Sequence, residues 1–478
     1  MVEHSQVAGG QWPWRCLHCH GPLAAQARGL GCAACGRHYP LVAGIPILVR
    51  DPVGYLRSEL ALLTRTSRNA RKRKGSLDRI GRDTGLSAAS LDRHRNILDT
   101  EIAQAETFLS LLEPAFEAMA DAAGETLETR PSGWTTDALI PYLLRDWTST
   151  PELAAMNSRI GAVLRQAFPD PSGKSIVFVA CGAGGLLAEL PADFERILGF
   201  DLTLPIVRAA RHLLDGNSLD IALPRVISPA GRISLRKRDP RSVSSYVWIA
   251  AMDAFETAIP DGSVDCVVTS FMIDLIPDPP RLADEIARIL CPDGVWINYG
   301  PSGPLKAFWR FDQTETPAFL ETAGFTVLGA EPHRATYLDL SRDCPSWSFQ
   351  NHVCYLTWAR KSGQAFARPS RPAPAPDELA QLIPVHFPGA NLVHRQGLGK
   401  NSAHTVSFRH EGIPGRTTSV QIGGDAARIL ALVDGKRTVS EIADLLERET
   451  PALQRQAVQQ AIGRYLQQRL LSWRGRRD

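Results

Sequence analysis

The chain has 478 residues, 44% of them hydrophobic and 22% charged, with a formal net charge of +3. That length exceeds one hydrophobic core and points to two to four domains, and the small charge gives no global electrostatic case for a nucleic-acid or membrane partner. No run of about 18 apolar residues occurs, and the opening MVEHSQVAGGQWPW lacks the apolar stretch of a signal peptide, so the sequence reads as cytoplasmic, with no membrane partner.

The first element is a pair of CxxC knuckles, Cys16–Cys19 in CLHCHGPL and Cys32–Cys35 in CAACGRHYP. Two such knuckles on a hairpin supply four thiolates for a tetrahedral Zn2+, and four cysteines leave no open position, so the metal is expected to be structural. His18, His20 and His38 stand nearby and leave a mixed ligand set open. The remaining five of the nine cysteines are scattered, which suits a reducing compartment. LVAGIPILVR then reads as strand, turn and strand around Gly44 and Pro46. The run CxxC…CGRHYPLVAGIPILV resembles the small zinc-ribbon protein that serves as activating partner to several tRNA and protein methyltransferases. That resemblance covers about residues 12–50 and implies a methyltransferase further along the chain.

Residues from about 55 to 170 read as helical, with EIAQAETFLSLLEPAFEAMADA carrying apolar residues at three- and four-residue spacing. Within them the basic run RNARKRKG reads as a solvated helix face rather than a nucleic-acid patch. From Lys174 to Lys361 short apolar strands alternate with helical segments, the pattern of a parallel sheet with crossover helices. SIVFVA leads into CGAGGLLAEL, where Gly182 and Gly184 would let the backbone approach a nucleotide cofactor. ILGFDLT follows and ends a second strand at Asp201, placed to bind two ribose hydroxyls. YVWIAAMDAF ends a third near Asp253, where a carboxylate can accept from an adenine amino group. VDCVVTSF and GVWINYGP supply the fourth and fifth strands.

This order resembles the α/β, Rossmann-like seven-stranded fold of class I S-adenosyl-L-methionine-dependent methyltransferases. A nicotinamide dinucleotide is the competing cofactor, made less attractive by the lack of a second GxxG half. The acid that this fold usually carries on its first strand is Phe178 here, so the methionine end of the cofactor needs another partner. YLLRDW, SFMID and WINYGP, in that order over about residues 135–360, resemble the carnosine N-methyltransferase family. The resemblance implies that Arg145 pairs with the cofactor carboxylate and that Ser270 belongs to the cofactor site. It also implies an imidazole substrate contacted by Asp274. Phe271 is expected to pack on the substrate ring or the cofactor. Of the substrate-contacting tyrosines that the family has near its last strands, Tyr337 is the candidate match for one, and Asn351 and His352 stand near the place of another. The segment SGPLKAF after WINYGP departs from the family's aromatic-histidine stretch, which argues for a remodelled pocket.

The chemistry of Asp274 agrees with that assignment. Methyl transfer from a sulfonium is an in-line displacement that needs a nitrogen lone pair aimed at the methyl. A carboxylate that accepts from one imidazole N–H fixes the tautomer and leaves the other nitrogen bare. Asp274 as a helix cap is the competing reading, a poor one because Asp278 holds the better position before Pro279.

SGQAFARPSRPAPAPDE, from Ser362 to Glu378, is a stiff proline-rich linker. Beyond it, TTSVQIGGDAARILALVDGKRTVSEIADLLERE…AVQQAIGRYLQQRLLSW reads as strand, helix, turn, helix, helix and strand, a winged-helix pattern. Thr438 and Glu441 form a capping box. ILALVDGKRTVSEIADLL resembles the PqqD-like domains that bind the leader of a ribosomally made peptide by strand addition. The third helix carries too modest a charge to call for phosphate contacts, so nucleic acid is not the expected partner.

The resulting organisation is a zinc ribbon at 1–52, a helical region at 53–173 that precedes and packs on the catalytic domain, a methyltransferase domain at 174–361, a linker at 362–378 and a winged-helix peptide-recognition domain at 379–478. The expected activity is N-methylation of a histidine side chain in a precursor peptide. Methylation of a free imidazole metabolite is the alternative within enzymes. A winged-helix DNA-binding regulator that senses S-adenosyl-L-methionine is the alternative outside them.

Overall fold

The computed structural model describes residues 12–115, 136–148, 151–190, 193–225, 228, 230–236, 247–276, 279–301, 316–339 and 349–362. From 380 onward it describes 380–381, 383–386, 390–396, 402–409, 417–422, 424–434, 436–449, 455, 457–459, 461–462 and 471–474. The linker call, apart from Ser362, lies outside these residues, as does Asp278. The chain divides into two compact units, the larger built from most residues up to Ala365 and the smaller mainly from Phe366 onward.

The first unit is organised by one continuous sheet. The CxxC hairpins form β1 (Leu23–Gln26), β2 (Gly29–Cys32), β3 (His38–Val42) and β4 (Ile45–Leu48). Ala43 and Gly44 both adopt positive φ between β3 and β4, which is the two-residue turn that matches the twist of paired strands. A run of parallel strands follows in the chain: β5 (Ser175–Val179), β6 (Arg196–Asp201), β9 (Val247–Met252), β10 (Val264–Ser270) and β11 (Leu290–Gly300). The hairpin β12 (Phe325–Asp339) and β13 (Phe349–Lys361) closes the far edge. A small separate hairpin, β7 (Leu219–Ala222) with β8 (Arg232–Leu235), lies between β6 and β9 in the chain.

The spatial order is β1-β2-β3-β4-β9-β6-β5-β10-β11-β13-β12. Without the ribbon this is third-second-first-fourth-fifth-seventh-sixth, with β13 antiparallel to β11, an α/β Rossmann-like methyltransferase fold. The order reverses at β5, so a crevice opens at the carboxyl ends of β5 and β10, the place where open parallel sheets bind ligands. Strands β5 and β10 are buried on both faces, as their unbroken SIVFV and CVVT runs require.

The amino-terminal ribbon extends this sheet within the same chain. Strand β4 runs parallel to β9, with Ile47 opposite Ala251 and Leu48 opposite Met252. Trp12 is fully buried, with its ring edge-on to Trp248 of β9 at 5.9 Å, and Arg15 pairs with Asp261 at 3.0 Å.

Two long helices follow the ribbon, α1 (Pro52–Thr84) and α2 (Ala88–Leu111). Asp51 caps α1 by accepting from Gly54 N at 2.9 Å, Pro52 occupies its first turn, and Gly85 ends it in the left-handed conformation. The basic run lies on α1, where Arg71, Arg73 and Lys74 pair with Glu106, Glu101 and Asp99 of α2. It is therefore a solvated helix face, three of whose five charges are met across the helical hairpin. The helices α3 (Thr136–Trp147), which carries RDW, and α4 (Pro151–Ala167) complete the region before β5.

Crossovers in the sheet are α5 (Gly185–Glu189), α6 (Leu204–Leu214), α7 (Pro279–Ile289) and α8 (Thr316–Thr322). Glu285 on α7 is buried and accepts from both the N–H and the hydroxyl of Thr257, at 2.6 and 2.7 Å.

The second unit has β14 (Ile383–His386) paired with β18 (Leu471–Arg474). Beside that pair it holds an antiparallel sheet of β15 (Ala390–Gln396), β16 (Ser402–Arg409) and β17 (Thr417–Ile422). Helices α9 (Gly424–Ala431) and α10 (Val439–Glu449) follow. Ile429, Leu430, Val433, Ile442, Leu446, Val458 and Ile462 are buried. The capping box forms as the spacing requires: Glu441 N donates to Thr438 Oγ1 at 3.2 Å and Thr438 N to Glu441 Oε2 at 2.8 Å.

Candidate active site

The crevice at the end of β5 is bounded by a left-handed turn. Ala180, Gly182 and Gly184 have φ of 52°, 54° and 82°, which lifts the chain away from the strand before α5 begins at Gly185. Helix α3 closes on this loop. Asp146 Oδ2 accepts from Gly185 N at 3.2 Å, and Trp147 Nε1 donates to Ala183 O at 2.8 Å. The approach is close enough that a Cβ on Gly185 would fall 2.7 Å from Asp146 Cβ and 3.0 Å from its Cα. Any larger residue there would push α3 off the loop.

Phe178 is buried in the core below, so β5 offers no acid to the crevice. A buried carboxylate reaches the loop from α3 instead, as Asp146. Arg145 donates from Nε to Asp146 Oδ1 at 2.7 Å, and its guanidinium lies over the rings of Tyr142 and Phe271 at 5.7 and 5.5 Å. Arg145 therefore stands between the glycine loop and the end of β10.

The other expected cofactor residues share the same edge of the sheet. Asp201, the last residue of β6, accepts from Gly182 N at 3.2 Å and from Thr203 N at 2.9 Å. Burial pushes its carboxyl up, and those backbone N–H groups partly offset the effect. Asp253, just beyond β9, accepts from Phe255 N at 2.9 Å, and burial likewise raises it. Each carboxylate is thus held by backbone while keeping lone pairs for a ligand.

Past β10 the backbone turns sharply. Phe271 has a φ of 50° and donates its N–H to Tyr299 O at 2.8 Å. The turn needs Gly300 beside it, because a Cβ there would lie 3.0 Å from Phe271 N and 3.1 Å from its Cα. Met272 and Ile273 are buried, and Asp274 follows with only 6% of its surface exposed. Asp274 Oδ1 is buried and has no hydrogen-bond partner among the described residues. Burial raises its carboxyl to about 6. Helix α7 begins only at Pro279.

Ser270 ends β10, and its hydroxyl is also buried without a partner among the described residues. Tyr337 lies on β12, where the register with β13 shifts between Thr336 and Leu338, a bulge. Asn351 and His352 lie opposite Thr336 and Ala335 on β13. Sequence reasoning singles out Arg145 in RDW and misses Asp146 and Trp147. It also passes over Tyr299 and Gly300 in WINYGP.

The four knuckle thiols converge. Cys16 and Cys35 Sγ lie 3.6 Å apart, Cys19 and Cys32 Sγ 3.3 Å, and all four fall within 4.8 Å of one another. Zn–S bonds of about 2.3 Å in a tetrahedron require sulfurs about 3.8 Å apart. The cluster fits such an ion. Among the described residues, the group that could hold a metal consists of these cysteines, without His18, His20 or His38.

Residues 177–297 match the family model of a methyltransferase domain. The chain carries a methyltransferase domain. Over 62 residues it is 45% identical to a carnosine N-methyltransferase of Dictyostelium discoideum, covering 13% of each chain. Over 136 residues it is 29% identical to a nocamycin O-methyltransferase of Saccharothrix syringae, covering 28% of this chain and 39% of the relative. The chain thus spans less than half the length of either curated relative. Among solved structures, the [4+2]-cyclase SpnF is similar with 18% identity and a TM-score of 0.34, over 47% of this chain and 93% of that one. Among the described residues, no helix is long and apolar enough to cross a membrane.

Proposed function

We propose that this chain uses S-adenosyl-L-methionine to methylate a ring nitrogen of an imidazole, the side chain of a histidine in a ribosomally synthesised precursor peptide. The observation that carries this reading is Asp274, a buried carboxylate with an unpaired oxygen at the carboxyl end of β10. A buried carboxylate oxygen left unpaired is costly, and at the carboxyl end of β10, where open parallel sheets bind ligands, it is available to one. The resemblance to the carnosine N-methyltransferase family, whose substrate is an imidazole, supports the same choice.

Gly182, Gly184, Asp201, Asp253 and Ser270 would hold the cofactor, with Arg145 for its carboxylate and Asp146 bracing the loop. When bound, the cofactor supplies a methyl group on a sulfonium, electrophilic enough to need no metal or nucleophilic residue. The protein's part is positioning and charge. Asp274 accepts from one imidazole N–H, which fixes the tautomer and leaves the second nitrogen bare as the nucleophile. As the N–CH3 bond forms, the ring gains positive charge. The carboxylate stabilises that charge and then takes the N–H proton. Phe271 supplies an aromatic wall for a flat ring.

The remaining parts follow from the same reading. Cys16, Cys19, Cys32 and Cys35 hold a structural Zn2+ that fixes the ribbon against β9. The carboxyl-terminal unit resembles PqqD-like domains, and its β15-β16-β17 sheet offers edges on which a leader peptide could add as a further strand. Capturing the leader on the same chain raises the local concentration of the core histidine. The protein acts in the cytoplasm.

The test is to incubate the full chain with methyl-labelled S-adenosyl-L-methionine and a histidine-containing precursor peptide encoded beside its gene, with and without the leader. Label on an imidazole nitrogen, faster with the leader attached, is expected. Equal rates on a free imidazole dipeptide would favour the metabolite, and label on oxygen or on an amine would overturn the imidazole reading.

A further inference from the structure

The carboxyl ends of β10 and β11 hold three buried polar atoms without hydrogen-bond partners among the described residues: Ser270 Oγ, Asp274 Oδ1 and the Tyr299 hydroxyl. Ser270 and Tyr299 are register partners across the two strands. Tyr299 is completely buried. Its ring meets Phe271 edge-on at 5.5 Å and His333 edge-on at 6.1 Å. The Cys354 thiol, a weak acceptor, lies beside the hydroxyl and helps to raise it, while the pair falls short of full hydrogen-bond geometry. Packing alone does not explain the oxygen, because phenylalanine would fill the same space without burying an unpaired O–H.

The protonation states sort these atoms by what they can do. Burial raises the Tyr299 hydroxyl above its ordinary value and pushes the Cys354 thiol up to about 12, so both stay neutral. Ionised Asp274 can only accept, and in the reading above it takes the imidazole N–H. Tyr299 has an O–H to donate. The second ring nitrogen cannot receive it, because that lone pair forms the new bond to carbon. An acceptor atom must therefore come from elsewhere on the substrate.

We propose that Tyr299 is a positioning residue whose hydroxyl donates to a carbonyl oxygen attached near the imidazole, so that the site takes a peptide-bonded histidine rather than a bare imidazole. The assignment rests on the imidazole reading and narrows it. A ring held by Asp274 alone can still pivot about that one hydrogen bond. A second bond to the flanking amide fixes its tilt, which is what an in-line displacement demands.

The test compares N-acetylhistidine N-methylamide with 4-methylimidazole on the full-length enzyme and on Tyr299→Phe. The amide-bearing probe is expected to lose about tenfold or more in kcat/KM on Tyr299→Phe, mainly through kcat, while 4-methylimidazole is unchanged. The ratio between probes is internal to each variant, so a general loss of folded enzyme cannot imitate it. Tyr299→Leu should show the same ratio. Identical ratios in wild type and both variants would overturn the role of Tyr299 and leave the imidazole reading standing. Failure of the wild type to methylate either probe would overturn both.

Discussion

The two sides of the crevice hold their polar groups differently. On the β6 and β9 side, Asp201 accepts two backbone N–H groups, Asp253 accepts one, and Asp146 ties the glycine loop to α3. On the β10 and β11 side, Asp274 and Tyr299 each keep a buried atom unpaired among the described residues. Carboxylates that brace the backbone shape a pocket before any ligand arrives. Groups left open are completed by the ligand itself. The first arrangement suits a cofactor bound in every turnover, and the second suits an acceptor whose identity is read by hydrogen bonding.

Substitutions should separate the two sides. The largest effect belongs to Asp274→Asn, which should lower kcat by about 100-fold or more while leaving cofactor affinity unchanged. Calorimetry for binding and a methyl-transfer assay for turnover check both halves. Asp201→Ala should do the reverse. It removes the acceptor for Gly182 N and Thr203 N, so cofactor affinity should fall about tenfold to a hundredfold and stability by roughly 1–3 kcal/mol.

Stability gives a sharper contrast, because the sign differs. The folded Asp274 carboxyl titrates near 6, above its ordinary 3.8. Its ionisation therefore opposes folding, a penalty absent below about pH 4 and complete above about pH 6. Asp274→Asn should raise stability at pH 7.5 by roughly 1–3 kcal/mol, with the gain vanishing by about pH 4. Denaturant midpoints at the two pH values would show it. An active-site group that destabilises the free protein is what the comparison demands.

Metal removal should touch one side only. Ribbon strand β4 pairs with β9, whose end leads to Asp253. Stripping the knuckles with a chelator should weaken cofactor binding several-fold, with little further effect on acceptor KM. Least in size, Trp147→Phe loses the hydrogen bond to Ala183 O and should cost about 1 kcal/mol in stability with a small loss of cofactor affinity.

Much of this fold was legible because alternation of short apolar strands with helices dictates a parallel sheet, and Gly182, Asp201 and Asp253 mark successive strand ends. The capping box at Thr438 and Glu441 was legible for a similar reason, since it depends on neighbours three residues apart. What escaped involves contacts distant in sequence. Phe178 announces a missing acid, but only the packing of α3 shows Asp146 at the glycine loop. The pairing of β4 with β9 joins residues some two hundred positions apart, and no local pattern encodes it. Tyr299 reads as an ordinary strand aromatic until its hydroxyl is found buried and unpaired beside the turn at Phe271.

The most direct test of the account is the pH dependence of kcat/KM for wild type and Asp274→Asn between pH 5 and 8, the interval that brackets the value near 6 in the free protein. Wild-type kcat/KM should fall more steeply than tenfold per pH unit below about 6, because Asp274 must be ionised and the imidazole neutral, while the variant stays lower and keeps only the shallower limb of the imidazole. Superimposable profiles of equal height would contradict the claim that Asp274 holds the acceptor.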